Sequence, residues 1–232
     1  MKTVVVLQSN YIPWKGYFDL INDGHEFIFY DEAQYTKNDW LNRNKIYASK
    51  GLEWLTIPCG YDLKRRICEV KMNPEINWQK NHYEKLCAVY SKTPYFDKYR
   101  PFLEHVYLEK DWEFLSALNQ FLIKHISYEI LGIKTVFADS RDYESHGQKN
   151  EKLLSLLLSA GCRRYVSGPA AKVYLDEEAF CEQGIEVVWK DYSGYPEYKQ
   201  QHEPFEHGVS ILDLLFNIGS DAPYYIWGWR NG

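Results

Sequence analysis

The pattern of apolar and polar positions predicts an α/β chain whose first strand begins almost at the first residue. Residues 3–7 form a mostly apolar run, which is typical of a buried strand. A short helix over residues 17–23 and a second apolar run over residues 26–30 follow, so the chain opens like a β-α-β unit. Further strands are predicted over residues 53–58 and 66–71.

Helical periodicity dominates from about residue 74 to residue 132. Apolar side chains recur on one helical face in two stretches: Trp78, His82, Leu86 and Tyr90 in the first, and Trp112, Leu115, Leu118, Leu122 and Ile126 in the second. Asp111 is the predicted N-cap of the second helix, and Gly132 its stop.

Alternating strands and helices return after this helical stretch. Strands are predicted over residues 134–138, 164–167 and 185–189, and a helix over residues 148–160. Asp176 is expected to cap a helix that ends near Gly184, and Ser210 to open one that ends at Gly219. The layout predicts an α/β fold with a mainly parallel sheet, flanking helices and a helical insertion. We expect one domain over residues 1–232, with a helical subdomain over about 74–132.

A cluster of polar and aromatic residues directly follows the first strand. Pro13 and Gly16 are expected to shape a rigid turn there. Side chains with hydrogen-bonding groups or flat faces come from Gln8, Asn10, Tyr11, Trp14 and Tyr17. Because ligands of open α/β sheets bind beyond the carboxyl ends of the strands, this loop is predicted to be one wall of a small-molecule site. The alternative is an aromatic loop that closes the core.

A second cluster begins where the second strand ends and should lie at the same edge of the sheet. It supplies an acid, amides, a ring and two cations: Asp31, Gln34, Lys37, Trp40, Asn42, Arg43 and Asn44. Arg43 could hold a phosphate or carboxylate with two hydrogen bonds, and Asp31 is placed like a ligand of ribose hydroxyls. Ser167 and Gly168, at the exit of a later strand, could bind ligand through the backbone. A solvated loop of mixed charge is the alternative for the second cluster.

Composition and charge narrow the class of ligand. Aromatic residues make up 17% of the chain, with 20 Tyr and 8 Trp, and such rings suit clefts for carbohydrates or nucleobases. The net charge of −5 argues against a partner made of nucleic acid. No stretch approaches a membrane span, and five cysteines without a CxxC pair fit the reducing cytoplasm better than a disulfide framework or a zinc site.

Motifs of well-known catalytic classes are missing from the sequence. Neither G-x-G-x-x-G nor the P-loop pattern occurs, and no spacing of His, Cys or acidic residues predicts a metal site. His82 is the leading candidate for a general base, with a structural histidine as the alternative, and Asp31 and Lys37 join it as candidate catalytic residues. His207, before Ser210, is a weaker candidate.

Several of these motifs together resemble the WbqC-like family over nearly the whole chain. The resemblance is carried by residues 8–18, 31–37 and 40–44, and continues through 54–58, 165–168 and 210–219. Ser9 and the pair Glu197 and Tyr198 depart from the family's pattern. Members of this family are associated with bacterial surface-polysaccharide and O-antigen gene sets. The resemblance therefore implies a transferase that adds an acyl, formyl or aminoacyl group to a nucleotide-linked amino sugar.

Three hypotheses follow from the sequence. The first is such a transferase, whose substrate is a sugar nucleotide and whose acyl or formyl donor is not identified. The second is a non-catalytic protein that binds sugar nucleotides or glycans. The third is a nucleotidyltransferase or ligase with a HUP-like domain, although the usual H-x-G-H signature is lacking. Exposed aromatic residues fit a homo-oligomer interface as well as a cleft.

Overall fold

A five-stranded parallel sheet is the centre of the fold. The structure is a computed structural model, and it describes residues 1–60 and 62–231. The strands are β1 (Thr3–Leu7), β2 (Glu26–Phe29), β3 (Arg43–Ala48), β4 (Gly51–Thr56), β5 (Val136–Asp139), β6 (Arg164–Ser167) and β7 (Glu186–Trp189). The sheet has the order β5-β2-β1-β6-β7, and β3 and β4 form a separate antiparallel hairpin. The predicted fold class is therefore confirmed.

Helices flank the sheet, and a helical stretch separates β4 from β5. The α-helices are α1 (Lys15–Asp23), α2 (Trp78–Tyr90), α3 (Phe96–Glu104), α4 (Leu115–His125), α5 (Asn150–Ser159), α6 (Glu177–Glu182), α7 (Ile211–Ile218) and α8 (Ala222–Ile226). Short π-helical segments, His105–Glu109 and Ile126–Ile130, continue α3 and α4. Two of the predicted caps are present, since Asp176 accepts a hydrogen bond from the Ala179 N–H and Ser210 from the Leu212 N–H.

The two faces of the sheet pack into different hydrophobic clusters. Val5 of β1 belongs to the larger cluster, with residues of α1, α2 and α4, whereas Val4 and Val6 belong to the smaller one beside α5. This division follows from the two-residue period of a strand, because neighbouring side chains point to opposite faces. The helical stretch and the sheet thus share one core.

The predicted strand over residues 66–71 is wrong. The segment contains a 3₁₀ helix, Ile67–Glu69, between isolated bridges that pair Arg66 with Gln34 and Lys71 with Phe114. The physical reason is local: the Glu69 carboxylate accepts a hydrogen bond of 2.9 Å from the Arg66 N–H and pairs with the Arg66 guanidinium. This capping interaction favours a helical turn over an extended strand.

The second predicted helix begins later than expected. Its first residue is Leu115 rather than a residue next to Asp111, because the segment before it is extended. The Met72 N–H donates to the Glu113 carbonyl, and the Leu115 N–H donates to the Val70 carbonyl. These long-range hydrogen bonds hold residues 113–115 against residues 70–72.

The strand β3, which pairs with β4 in a hairpin, was not among the elements predicted from the sequence. Arg43 pairs with Thr56, and Lys45 with Trp54, in an antiparallel register. The polar composition of β3 hid a strand that has one face turned away from the core. Consequently Arg43 and Lys45, two residues apart, lie on the same face of the hairpin.

Candidate functional site

The loop that follows β1 is fixed by hydrogen bonds from several directions. The Ser9 N–H donates to Asp31 Oδ1 at 2.8 Å, and the Tyr17 hydroxyl donates to the Gln8 carbonyl at 2.8 Å. Ile12 has a φ of 36°, a conformation that a β-branched residue rarely adopts. Such strain persists only where the surrounding structure imposes it, and it is concentrated at functional sites.

Gly16 allows the ring of Trp14 to lie against the start of α1. A Cβ atom at Gly16 would be 2.3 Å from the Trp14 ring, so a larger residue there would displace the indole. On its other side the indole makes an edge contact with Tyr192 at a centroid distance of 5.2 Å. The position of this ring is therefore set by the sequence around it.

Asp31 and two asparagines of the second cluster act as internal supports. Asp31 is fully buried and also accepts hydrogen bonds from Ser116 Oγ and Gln120 Nε2. Asn44 Nδ2 donates to the carbonyls of Tyr11 and Ile12, and Asn42 Nδ2 donates to that of Ile57. These contacts attach the second cluster to the loop after β1.

A cavity of about 330 Å³ lies where the two clusters meet. It is lined by Asn10, Pro13, Trp14, Trp40, Asn44 and Gly208. Four of the residues predicted from the sequence are thus brought together around one space. Trp40 is 43% exposed, so a flat ligand has access to its ring. We call this space the tryptophan cavity.

Two cations stand beside the tryptophan cavity over exposed indole rings. The Arg43 guanidinium lies 4.0 Å from the centre of the Trp54 ring, and Lys45 Nζ lies 5.2 Å from the same ring. Trp54 in turn contacts Trp40 at a centroid distance of 5.5 Å, which connects this platform to the cavity. We call the group of Arg43, Lys45, Trp40 and Trp54 the cationic platform.

The cations of the platform have no acidic partner. Within the described part of the chain, no carboxylate lies within ion-pairing distance of Arg43 or Lys45. The Nε atom of Arg43 is buried and has no hydrogen-bond acceptor. A buried donor on a charged group is costly to leave unmatched, so the platform is suited to an anionic ligand.

His82 lies inside the core. It is 6% exposed, its Nδ1 is 2.9 Å from the Tyr11 hydroxyl, and that hydroxyl is 2.6 Å from the hydroxyl of Tyr107. Burial lowers the pKa of His82 to about 4, so the ring is neutral at pH 7. His82 is not among the residues that line the tryptophan cavity, and we propose that it has a structural role.

The remaining candidate residues do not line the tryptophan cavity. Tyr11 and Tyr17 are buried, Gln34 donates to the Leu63 carbonyl, and Lys37 is partly exposed in the loop that leads to Trp40. Ser167 is buried and accepts from the Tyr165 hydroxyl, while Gly168 precedes a 3₁₀ helix. Gln8 lines a second cavity instead, beside β1.

Two bases lie next to lining residues of the tryptophan cavity: His207, a weaker candidate from the sequence, and Lys15, which was not predicted. Lys15 follows Trp14 and is 3% exposed, with its Nζ 4.9 Å from the centre of the Tyr195 ring. Burial lowers the pKa of Lys15 to about 8, although Asp213 acts in the opposite direction. His207 precedes Gly208, and burial also lowers its pKa. The only signal in the sequence for Lys15 was its position beside Trp14.

Residues 1–60 and 62–231 contain no group of three or more His, Cys, Asp or Glu side chains that could hold a metal ion. None of the helices described is both long and apolar enough to cross a membrane.

Comparison with known proteins finds a family whose sequence pattern matches most of the chain. The sequence pattern of the WbqC-like protein family matches residues 8–225. An uncharacterized protein of Mycobacterium tuberculosis is 47% identical over 229 residues, which cover 97% of this chain and 98% of that protein. No solved structure matches the chain.

Proposed function

The chain belongs to the WbqC-like protein family, and we propose that it is an enzyme of bacterial surface-glycan biosynthesis that modifies a nucleotide-linked amino sugar. The proposed reaction adds an acyl, formyl or aminoacyl group to the sugar amine. The observation that carries the proposal is the tryptophan cavity beside the cationic platform. The flat rings suit the base, the amides suit the hydroxyl groups of the sugar, and the two cations suit the diphosphate of a sugar nucleotide.

Each part of such a ligand has a counterpart in the site. The rings of Trp14 and Trp40 offer stacking faces for a base or a sugar, and stacking of a base on an aromatic ring contributes about 1–3 kcal/mol. The amide of Asn10 faces the same cavity and can bind hydroxyl groups. Arg43 and Lys45 supply the positive charge that a diphosphate requires.

Group transfer to an amine also needs a base. The amine nitrogen forms a bond to the carbonyl carbon of the donor, the donor's leaving group departs, and the ammonium proton has to be removed. Lys15 and His207 both have lowered pKa values and are adjacent in sequence to lining residues of the cavity. The lowered pKa of His207 keeps its ring neutral and able to accept a proton at pH 7, whereas Lys15 becomes neutral only above about pH 8.

A screen of ligands by thermal shift and calorimetry tests the proposal. The panel contains UDP-, GDP- and dTDP-linked amino sugars, their counterparts without the amine, and the free nucleoside diphosphates. We expect saturable binding that is strongest for one amino sugar, and binding that is at least about fivefold weaker in Trp40→Ala because a stacking face is lost. Trp189→Ala is the matched control, since Trp189 lies on β7 outside the cavity. If no sugar nucleotide binds, the proposal is wrong.

A non-catalytic sugar-nucleotide-binding protein is the second candidate. It is favoured by one observation, namely that Asp31 and His82 are both buried and fully engaged in internal hydrogen bonds. Turnover separates the two candidates. A transferase converts the bound amino sugar when formyl, acyl-thioester and aminoacyl-adenylate donors are supplied in turn, and its product is detected by mass spectrometry. A binding protein gives no product with any donor.

A further inference from the structure

A second cavity of about 520 Å³ lies at the carboxyl end of β1. Its lining includes Gln8, Tyr30, Lys149, Asn150, Tyr165 and Tyr174. In the strand order β5-β2-β1-β6-β7, the chain moves outward from β1 to β2 and β5 and then crosses back to β6 and β7, so the direction of strand addition reverses between β1 and β6. The crevice at such a switch point is the usual ligand site of an open parallel sheet. We call this space the switch-point cavity.

The lining of the switch-point cavity combines rings with an unpaired cation. Tyr174 is 65% exposed, so its ring is accessible to a flat ligand. Among the described residues, no carboxylate lies within ion-pairing distance of Lys149. The lining contains no Asp or Glu, and Glu32, which is not a lining residue, is bound to Lys152 at 3.5 Å and to Ser140 at 3.0 Å. The free charge in the lining is therefore positive.

The backbone holds Lys149 in a conformation that is unusual for its residue type. Its φ is 51° and its ψ is −122°, in a region that favours glycine. A non-glycine residue in such a conformation costs about 1–3 kcal/mol, and this cost is a common feature of binding sites. Lys149 also immediately precedes α5, a helix of 10 residues, whose positive dipole end adds to its charge.

We propose that the switch-point cavity binds the nucleotide part of the activated donor, with a base on the tyrosine rings and a phosphate on Lys149. This inference rests on the proposed function, because it supplies the second substrate of the transferase. Gln8 lines this cavity and Asn10 lines the tryptophan cavity. Two residues span at most about 7 Å of extended chain, so the donor and the amino sugar would meet across the loop after β1.

Protection of Lys149 from chemical labelling tests the inference without measuring activity. The intact protein is treated with an amine-acylating reagent, and the labelling rate of Lys149 is followed by peptide mass spectrometry, with the exposed Lys92 as internal control. We expect ADP to slow the labelling of Lys149 at least fivefold and to leave Lys92 unchanged. If coenzyme A protects Lys149 at a lower concentration than ADP does, the donor is a thioester of coenzyme A. If the two ligands protect Lys149 equally well, the donor is a free adenine nucleotide.

A glycine variant removes the charge of Lys149 without straining the backbone. Because glycine adopts the observed φ freely, Lys149→Gly should fold at least as stably as the natural chain. We expect it to bind ADP about tenfold more weakly, whereas Lys92→Ala binds ADP normally. Unchanged ADP affinity in Lys149→Gly, or protection by inorganic pyrophosphate equal to that by ADP, would overturn the inference.

The failures of the two proposals can be distinguished. If ADP protects Lys149 while no sugar nucleotide binds the protein, the switch-point cavity stands and the proposed acceptor is wrong. If a sugar nucleotide binds normally while ADP neither binds nor protects, the donor site is wrong and the acceptor site stands. Competition between ADP and the sugar nucleotide for one site would also contradict the inference, because it requires both ligands to bind together.

Discussion

Replacement of Arg43 by alanine is expected to weaken the binding of a sugar nucleotide about 100-fold. A charge-assisted hydrogen bond contributes about 1.5–3 kcal/mol, and loss of a fork that holds a phosphate with two such bonds reaches the upper part of this range. The natural guanidinium lies over the Trp54 ring at 4.0 Å from its centre, and its buried Nε lacks an acceptor among the described residues. It is therefore already positioned for an anion, and calorimetry with the best ligand of the panel measures the loss.

Stability should change little in the same variant. Arg43 makes no ion pair among the described residues, so the loss is limited to its contact with Trp54, about 0.5–1 kcal/mol. Arg43→Lys keeps the charge but loses the planar fork and should bind with intermediate affinity. Arg100→Ala is the matched control, because Arg100 lies on α3 and pairs with Asp97. If Arg43→Ala binds the sugar nucleotide with normal affinity, Arg43 does not bind the phosphate and this part of the proposed site is wrong.

His82 is expected to make the protein sensitive to acid. Its pKa is lowered by burial from 6.5 to about 4 in the folded chain. Between these two pH values the unfolded chain binds a proton that the folded chain does not, so the free energy of unfolding falls as the pH falls. A difference of about 2.5 pH units corresponds to a loss of about 3 kcal/mol, complete below about pH 4.

His82→Gln isolates this contribution because its amide stays neutral at every pH. The variant should be less stable than the natural chain at pH 7, owing to the altered contact with Tyr11. The stability difference between the two proteins should then shrink as the pH falls from 6.5 to 4, as measured by urea unfolding. His146→Gln, at an exposed position, serves as control. A stability difference that does not change with pH would show that His82 is accessible to protons in the folded state.

Most of the fold could be predicted from the sequence because its signals are local. The apolar run of β1 and the capping residues Asp176 and Ser210 act within a few residues, and the structure contains the elements they predict. The strand β3 was missed because Arg43 and Lys45 break the apolar pattern of a strand, although its partner β4 was predicted. The late start of α4 depends on pairing with residues about 40 positions earlier, and local periodicity carries no information about such contacts.

The sequence indicated which residues lie close together at the site, but it did not indicate what each side chain contacts there. Two polar clusters at the ends of adjacent parallel strands must lie close together, and Asn10, Trp14, Trp40 and Asn44 do line one cavity. The sequence could not tell whether an amide points to ligand or to the backbone. Asn44 donates to two backbone carbonyls although it lines the cavity, and this depends on the path of the loop after β1.

The indole N–H signals of a ¹⁵N-labelled sample show directly whether a sugar nucleotide binds in the tryptophan cavity. The chain contains eight Trp, and single substitutions assign each signal. When the best sugar nucleotide of the panel is added, we expect the signals of Trp14 and Trp40 to shift most and that of Trp54 to shift less, while the signals of Trp78 and Trp189 stay in place. Saturable shifts confined to Trp78 or Trp189, with Trp14 and Trp40 unchanged, would contradict this expectation.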